Sequence, residues 1–275
     1  QGEQRMATTA ADAQRRAETT ELRTALLSAV GHDLRTPLTS IKAAVSSLRA
    51  PDLQLSEADT AELLAAAEES ADRLTGLVDN LLDSSRLATG AVEPLLRPVG
   101  YDEVVARALS GLDGRNGIAV DVDERLPAVR ADVGLLERVV ANVVDNALRH
   151  GQFVRQPGLS TIVTGNGDCV ADGEAGRVTV DEPPIAIRAS AYADRVELRV
   201  VDHGPGLPKG AAESVFAPFQ RLGDRDTTPG VGLGLSVAEG FTEAMGGSIR
   251  AEDTPGGGLT VVISLPADRT GDRPT

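Results

Sequence analysis

One of the chain's 3 histidines stands in Gly31-His32-Asp33-Leu34-Arg35-Thr36-Pro37-Leu38. An exposed neutral imidazole is a competent nucleophile toward a phosphoryl group, and a carboxylate beside it can take up the proton as attack proceeds. On a helix turning about 100° per residue, His32 falls about 160° from Leu34, on the face that Thr36 shares one turn later. Pro37 removes a backbone hydrogen bond to the previous turn and loosens the helix at that place. A lone histidine is more often a solvated surface residue. Here the flanking carboxylate, hydroxyl and proline favour chemistry.

A second constellation lies in Glu137-Arg138-Val139-Val140-Ala141-Asn142-Val143-Val144-Asp145-Asn146-Ala147-Leu148-Arg149-His150. Asn142 and Asn146 are i and i+4, so both amides project from one helix face. Amide oxygens are hard, neutral ligands suited to a Mg²⁺ that keeps its other bonds for water and phosphate. Two asparagines breaking an apolar helix can equally be helix–helix hydrogen bonds. Further on, Val200-Val201-Asp202-His203-Gly204-Pro205-Gly206-Leu207 delivers a carboxylate from a strand into a Gly-rich turn. Such a carboxylate can accept from an exocyclic amine while Gly204 and Gly206 let a flat base approach the backbone, although plain strand-ending turns look similar. Gly230, Gly232 and Gly234 open a helix, where free N–H groups make a phosphate cradle. No Gly-Lys-Ser/Thr follows them and no βαβ unit frames them, which sets aside a Walker loop and a Rossmann turn. Between these two runs, Phe216-Ala217-Pro218-Phe219-Gln220-Arg221 places two of only 4 phenylalanines three positions apart. That reads equally as a loop anchor or as a hinge.

The elements that position these groups follow from periodicity. Leu34, Leu38, Ile41, Val45 and Leu48 step at helix-pairing spacing, Pro51 ends that helix, and Ser56 with Asp59 forms a capping start. Leu63, Ala67, Ser70, Leu74, Leu77 and Leu81 repeat the steps up to Gly90. Two such helices cannot bury both stripes alone, which predicts an antiparallel hairpin completed as a four-helix bundle by a second chain. From about Val99 strand-prone runs (118–122, 185–189, 196–201, 259–265) alternate with helical stretches at 134–150 and 233–245, the pattern of an α+β sandwich. The expected organisation is a helical linker (1–24), the hairpin (25–90), a second linker (91–98), the α/β domain (99–266) and a tail (267–275). Within the α/β domain, 152–184 fits neither pattern and reads as an inserted loop with a short hairpin around Thr161 to Val180.

Composition removes several function classes. Aromatic residues make up 2% of the 275, with no Trp, so platforms for stacking single-stranded nucleic acid are nearly absent. The 27 basic and 41 acidic residues give a net charge of −14, which repels phosphate backbones and anionic lipid. Cys169 is the single cysteine, which excludes an intrachain disulfide and a cysteine metal site. No run approaches the roughly 18 apolar residues of a membrane span. The start at Gln1, within a helical pattern, suggests a piece cut from something longer.

The order of these motifs is the specific signal. His-Asp-x-x-Thr-Pro, paired Asn, Asp-x-Gly-x-Gly, Phe-x-x-Phe and Gly-x-Gly-x-Gly closely resemble the successive boxes of bacterial sensor histidine kinases over nearly the whole chain. The runs 26–30 and 40–49, with 243–247 and 255–260, are similar to the KdpD group of potassium-responsive kinases. The resemblance implies a dimeric phosphotransfer hairpin followed by a GHKL (Bergerat-type) α/β sandwich that binds ATP. It implies that His32 takes the γ-phosphoryl of ATP with Asp33 as general base, and that Thr36 positions water for dephosphorylating the partner. Asn146 helped by Asn142 would bind Mg²⁺. Arg149 would contact phosphate, with Arg221 also in the nucleotide site. Asp202 would hold the adenine amine; Gly204, Gly206, Gly230, Gly232 and Gly234 would shape the pocket and lid, and Phe216 and Phe219 would hinge it. The implied partners are a second copy and a KdpE-like response-regulator receiver domain, with no direct nucleic acid and with membrane attachment only through missing N-terminal segments. Departures are Gly31 where the family has Ser, His150 where it has Tyr (read as an edge residue), and the long 152–184 segment, inert or covering the nucleotide. A nucleotide-binding scaffold with little kinase activity is the alternative, and it would be expected to have lost His32, Asn146 or Asp202.

Overall fold

The computed structural model describes residues 30–50, 52–53, 55–110, 117–150, 162–163, 169–170, 184–208, 210–218 and 232–268. These form two compact units, one ending at Leu82 and the other beginning at Asp83. The first is a helical hairpin of α1 (30–48) and α2 (Glu57–Ala88), the last residues of α2, from Asp83, belonging to the second unit. The helix runs through Pro37 unbroken. Neighbouring hydroxyls bond back to the preceding turn: Thr36 Oγ1 donates to the His32 carbonyl at 3.3 Å and Thr39 Oγ1 to that of Arg35 at 2.8 Å. The capping start is present in both directions: Asp59 N–H donates to Ser56 Oγ, and Ser56 N–H donates to Asp59 Oδ2, each at 3.1 Å. These Ser56 bonds hold the Asp59 carboxyl below the usual aspartate value.

The pairing stripe divides by sevens. Leu34, Ile41 and Leu48 are half-buried, whereas Leu38 and Val45 between them are exposed. On α2 Leu63, Leu74 and Leu77 are half-buried and Leu64, Val78, Leu81 and Leu82 are exposed. One copy of the hairpin covers only part of its apolar surface.

The second unit is built on a five-stranded sheet. Its strands are β2 (Ile118–Asp121), β6 (Ile185–Tyr192), β7 (Arg195–Asp202), β8 (Ser248–Asp253) and β9 (Leu259–Pro266), in the order β2-β6-β7-β9-β8. β2 pairs parallel to β6, and the remaining pairs are antiparallel. A second small sheet pairs β1 (Arg97–Val99) with β3 (Val129–Ala131), and β4 (Ile162–Val163) pairs with β5 (Cys169–Val170) inside the 152–184 segment. Helices α3 (Tyr101–Ser110), α4 (Val133–His150) and α5 (Gly234–Ala244) supply the other layer. α4 buries Leu136, Val139, Val140, Val143, Val144 and Ala147, the spacing of one apolar helix face, in a core shared with Ile187, Leu198, Val200, Ile263 and Leu265. Tyr101, Phe216 and Phe241 are the rings in that core.

β7 alternates with period two: Val196, Leu198, Val200 and Asp202 are buried, and the residues between them are not. Asp202 thus occupies the core-facing register at the strand's last position. On the opposite face Arg199 reaches Glu252 at 2.9 Å and Arg250 reaches Glu197 at 3.0 Å, around a fully buried Val262. β8, α3 and the β1–β3 pair were not among the expected elements. β8 reads Ser-Ile-Arg-Ala-Glu-Asp, an edge strand whose charges serve this ion-paired face and dilute its apolar alternation.

Candidate functional site

In the hairpin, His32 extends into solvent with its side chain 75% exposed, while Asp33 beside it is only 6% exposed. Asp33 Oδ1 lies 3.3 Å from His32 Nδ1. A proton on Nδ1 facing that carboxylate leaves Nε2 as the lone-pair nitrogen, and Nε2 has no partner among the described residues. Thr36 is exposed on the next turn. An added Cβ at Gly31 would meet nothing within 4 Å, so the small residue beside His32 serves no packing need.

In the second unit the site forms where α4, α5 and the ends of β7 and β9 converge. Asp202 is 4% exposed. Its Oδ1 accepts from Gly204 N–H at 2.9 Å and from Leu259 N–H at 3.1 Å. Two main-chain donors fix the carboxylate and leave Oδ2 without a hydrogen bond among the described residues, an arrangement that can read a donor such as an exocyclic amine. Gly206 has φ +69°, and a Cβ there would lie 3.0 Å from the Gly258 carbonyl oxygen. Gly258 has φ +115°, and any side chain on it would run into the main-chain carbonyl of Asp202. These glycines let the two turns close around the carboxylate. Behind them, the Thr254 and Thr260 hydroxyls form a buried hydrogen bond of 2.9 Å.

On α4, Asn142 is half-buried, and its Nδ2 is buried with no hydrogen-bond partner among the described residues. Gly234, at the start of α5, faces it, since a Cβ on Gly234 would lie 3.8 Å from Asn142 Cγ. Asn146, one turn on, is half-buried with no side-chain hydrogen bond among the described residues. Arg149 Nε donates to Asp145 at 2.9 Å. No group of three His, Cys, Asp or Glu capable of holding a metal occurs among the described residues. A cation here would therefore take neutral amide oxygens together with ligands of its own, which fits Mg²⁺ carried on phosphates. The orphan amide donor of Asn142 fits a phosphate oxygen as acceptor.

Gly232 adopts φ +70° just before α5. Phe216 closes a short 3₁₀ turn, Ser214–Phe216, and is sealed in the core. Phe219, Arg221 and Gly230 lie outside the described residues. The structure adds residues that sequence reasoning left out of the site. Gly258 and Leu259 support Asp202; their signal was the Gly256-Gly257-Gly258 run before a strand. His150, read as an edge residue, is within electrostatic reach of Asp202. Burial first and then Arg149 push its imidazole below the ordinary histidine value, against Asp202 and Asp145.

The family of histidine kinase-, DNA gyrase B-, and HSP90-like ATPases matches residues 131–269, and the His Kinase A (phospho-acceptor) domain matches residues 22–90. The chain belongs to the histidine kinase branch of that ATPase family, the phospho-acceptor hairpin preceding the ATPase domain. Its likeness is to KdpD sensor kinases: it is 52% identical over 276 residues to Sensor protein KdpD of Mycobacterium tuberculosis (strain CDC 1551 / Oshkosh), covering 98% of this chain and 28% of that protein. The chain thus spans little more than a quarter of that relative's length. Two crystal structures share the fold. Histidine kinase ThkA in complex with response regulator protein TrrA has a TM-score of 0.58 at 18% identity, covering 93% of this chain and 65% of that one. Full-length ShkA in complex with AMPPNP has a TM-score of 0.55 at 24% identity, covering 89% and 46%.

Proposed function

We propose that this chain is the catalytic portion of a two-component sensor kinase that phosphorylates its own His32 from Mg²⁺·ATP and passes the phosphoryl group to an aspartate of a response regulator. The observation that carries the reading is the exposed imidazole whose Nδ1 is backed by the buried carboxylate of Asp33. In the first step the Nε2 lone pair attacks the γ-phosphorus, the N–P bond forms, the bridging P–O bond breaks and ADP leaves. The Nδ1 proton moves to Asp33 as positive charge builds on the ring. Asp202 holds the adenine amine, Asn142 donates to phosphate, and Arg149 exchanges its bond with Asp145 for a phosphate oxygen. Asn146 and Asn142 would hold Mg²⁺, which would neutralise phosphate charge. Thr36, exposed one turn from His32, is suited to orient water when the regulator is dephosphorylated.

The partner copy covers Leu38, Val45, Leu64, Val78 and Leu81, completing a four-helix bundle, and the regulator resembles KdpE. The likeness to KdpD supports a role in potassium or osmotic signalling, on the cytoplasmic side of the bacterial cell membrane, with the anchor outside this sequence. No helix among the described residues is long and apolar enough to cross a membrane. The scaffold alternative has no observation in its favour, since His32, Asn146 and Asp202 are all retained. The test is incubation with γ-labelled ATP with and without Mg²⁺: protein-bound label that is acid-labile and alkali-stable is expected with the metal alone. Absence of label, or acid-stable label, contradicts the reading.

A further inference from the structure

The last two turns of α2 carry side chains that the proposed reaction leaves unused. Asp83 is buried, and its Oδ2 accepts from Arg138 Nε at 2.9 Å and from Arg138 Nη2. Arg86 lies 4.0 Å from the other oxygen and is itself largely exposed. A carboxylate in such a place needs a close cation, because the interior cannot solvate it. One turn further along, Leu87 fits so tightly against Gly240 of α5 that a Cβ on Gly240 would lie 2.7 Å from Leu87 Cδ1.

Both contacts reach the helices that build the nucleotide site. Arg138, Asn142 and Asn146 are spaced i, i+4 and i+8, so they share a stripe about 80° wide on α4. α5 begins at Gly234, which faces Asn142, and Gly240 lies less than two turns beyond it. A single short piece of α2 therefore grips α4 one turn before Asn142 and α5 shortly after the glycine that abuts Asn142. Asp202, by contrast, is fixed by main-chain donors at the ends of the sheet strands and has no contact with this piece among its hydrogen bonds.

We propose that Asp83, Arg138 and Leu87 form a clip that sets the register of α4 against α5, which makes Arg138 a positioning residue for phosphoryl transfer. This rests on the kinase reading. A displacement arriving along α2 acts on the clip and moves the amides that face the phosphates, while the adenine-reading carboxylate stays in place. The clip governs the rate with nucleotide bound more than the binding of nucleotide itself.

The test uses the whole chain as Asp83→Asn, as Gly240→Ala, and with the pair exchanged (Asp83→Arg with Arg138→Asp). Asp83→Asn is expected to lower the autophosphorylation rate at saturating ATP by about 10- to 100-fold, the scale of a misplaced reacting group. Affinity for a non-hydrolysable ATP analogue should stay near the wild-type value, and the exchanged pair should recover much of the rate. Gly240→Ala, acting on the other contact, should show the same split, and it carries the test if Asp83→Asn does not fold. Hydrogen exchange on the nucleotide-free chain provides a readout independent of activity: amides of α4 around Arg138 and Asn142 should exchange faster in both single variants. Wild-type rate and wild-type exchange in the single variants overturn the proposal, as does a matched loss of rate and affinity with no recovery in the exchanged pair. If the wild type takes no label, the kinase reading fails. The exchange comparison then decides the clip, with faster α4 exchange supporting it and unchanged exchange overturning it.

Discussion

The hairpin and the ATPase domain each bury one carboxylate at the site proposed for their chemistry, and they hold it by different means. Asp33, in the hairpin, meets the ring of a side chain that is itself exposed to solvent. Asp202, in the ATPase domain, is fixed by N–H groups from two separate strand ends, within a turn that admits only glycine at its closest approach. On the proposed reading, the group that takes a proton from the nucleophile is left to side chains. The group proposed to read a hydrogen-bond donor on the nucleotide is set in main chain, where little reorganisation would be needed when the ligand arrives. The difference extends to packing: the hairpin leaves Leu38, Val45, Leu64 and Leu82 exposed, while the core beneath Asp202 is closed.

This division can be broken at several points. Asp33→Asn keeps the shape and removes the proton acceptor, so the phosphorylation rate should fall about 100-fold or more. Nucleotide affinity should not change; a parallel loss of affinity, measured by calorimetry, would erase the separation between the two regions. Asp202→Asn should do the reverse, weakening ATP binding by about 10- to 100-fold through loss of a charged hydrogen bond. His32 should remain as reactive toward a small phosphoryl donor such as phosphoramidate.

Glycine substitutions sharpen the contrast further. Gly258→Ala imposes an L side chain at φ +115° against the Asp202 carbonyl, and should cost about 1–3 kcal/mol or more in urea unfolding of the ATPase domain. Gly31→Ala in the hairpin meets open space on a helix, and should stabilise that region by up to about 1 kcal/mol. The smallest effect concerns acid. Hydrogen bonds from Arg250, and then from Arg199, hold Glu197 below the ordinary glutamate value of 4.5. Because its folded pKa is depressed, its contribution is complete above the unfolded value and fades as pH falls through the lower folded one. Glu197→Gln should therefore be less stable than wild type by about 1 kcal/mol near neutrality, with the gap closing in acid. A gap that persists in acid would show that the sheet face gains nothing from that charge.

Local chemistry was legible in the sequence, and distant partnership was not. The capping pair Ser56 and Asp59, the paired asparagines and the carboxylate ending β7 all declare themselves within a few residues, because helix and strand periodicity fix which side chains share a face. β8 was hidden because its face is ion-paired, so its charges mask the alternation. Gly258 and Leu259 lie 56 and 57 residues from Asp202, and Asp83 lies 55 from Arg138, separations over which no periodicity operates. His150 is the exposed last residue of its helix, and its electrostatic link to Asp202 depends on how α4 meets the sheet.

The central claim is that the nucleophile and the nucleotide-binding carboxylate reside in separate units of one chain. His32→Gln tests it most directly, with γ-labelled ATP and Mg²⁺ for transfer and calorimetry with a non-hydrolysable ATP analogue for binding. The account predicts wild-type nucleotide affinity and no acid-labile, alkali-stable label on the protein. Label that persists in His32→Gln, or affinity lost together with the label, would contradict it.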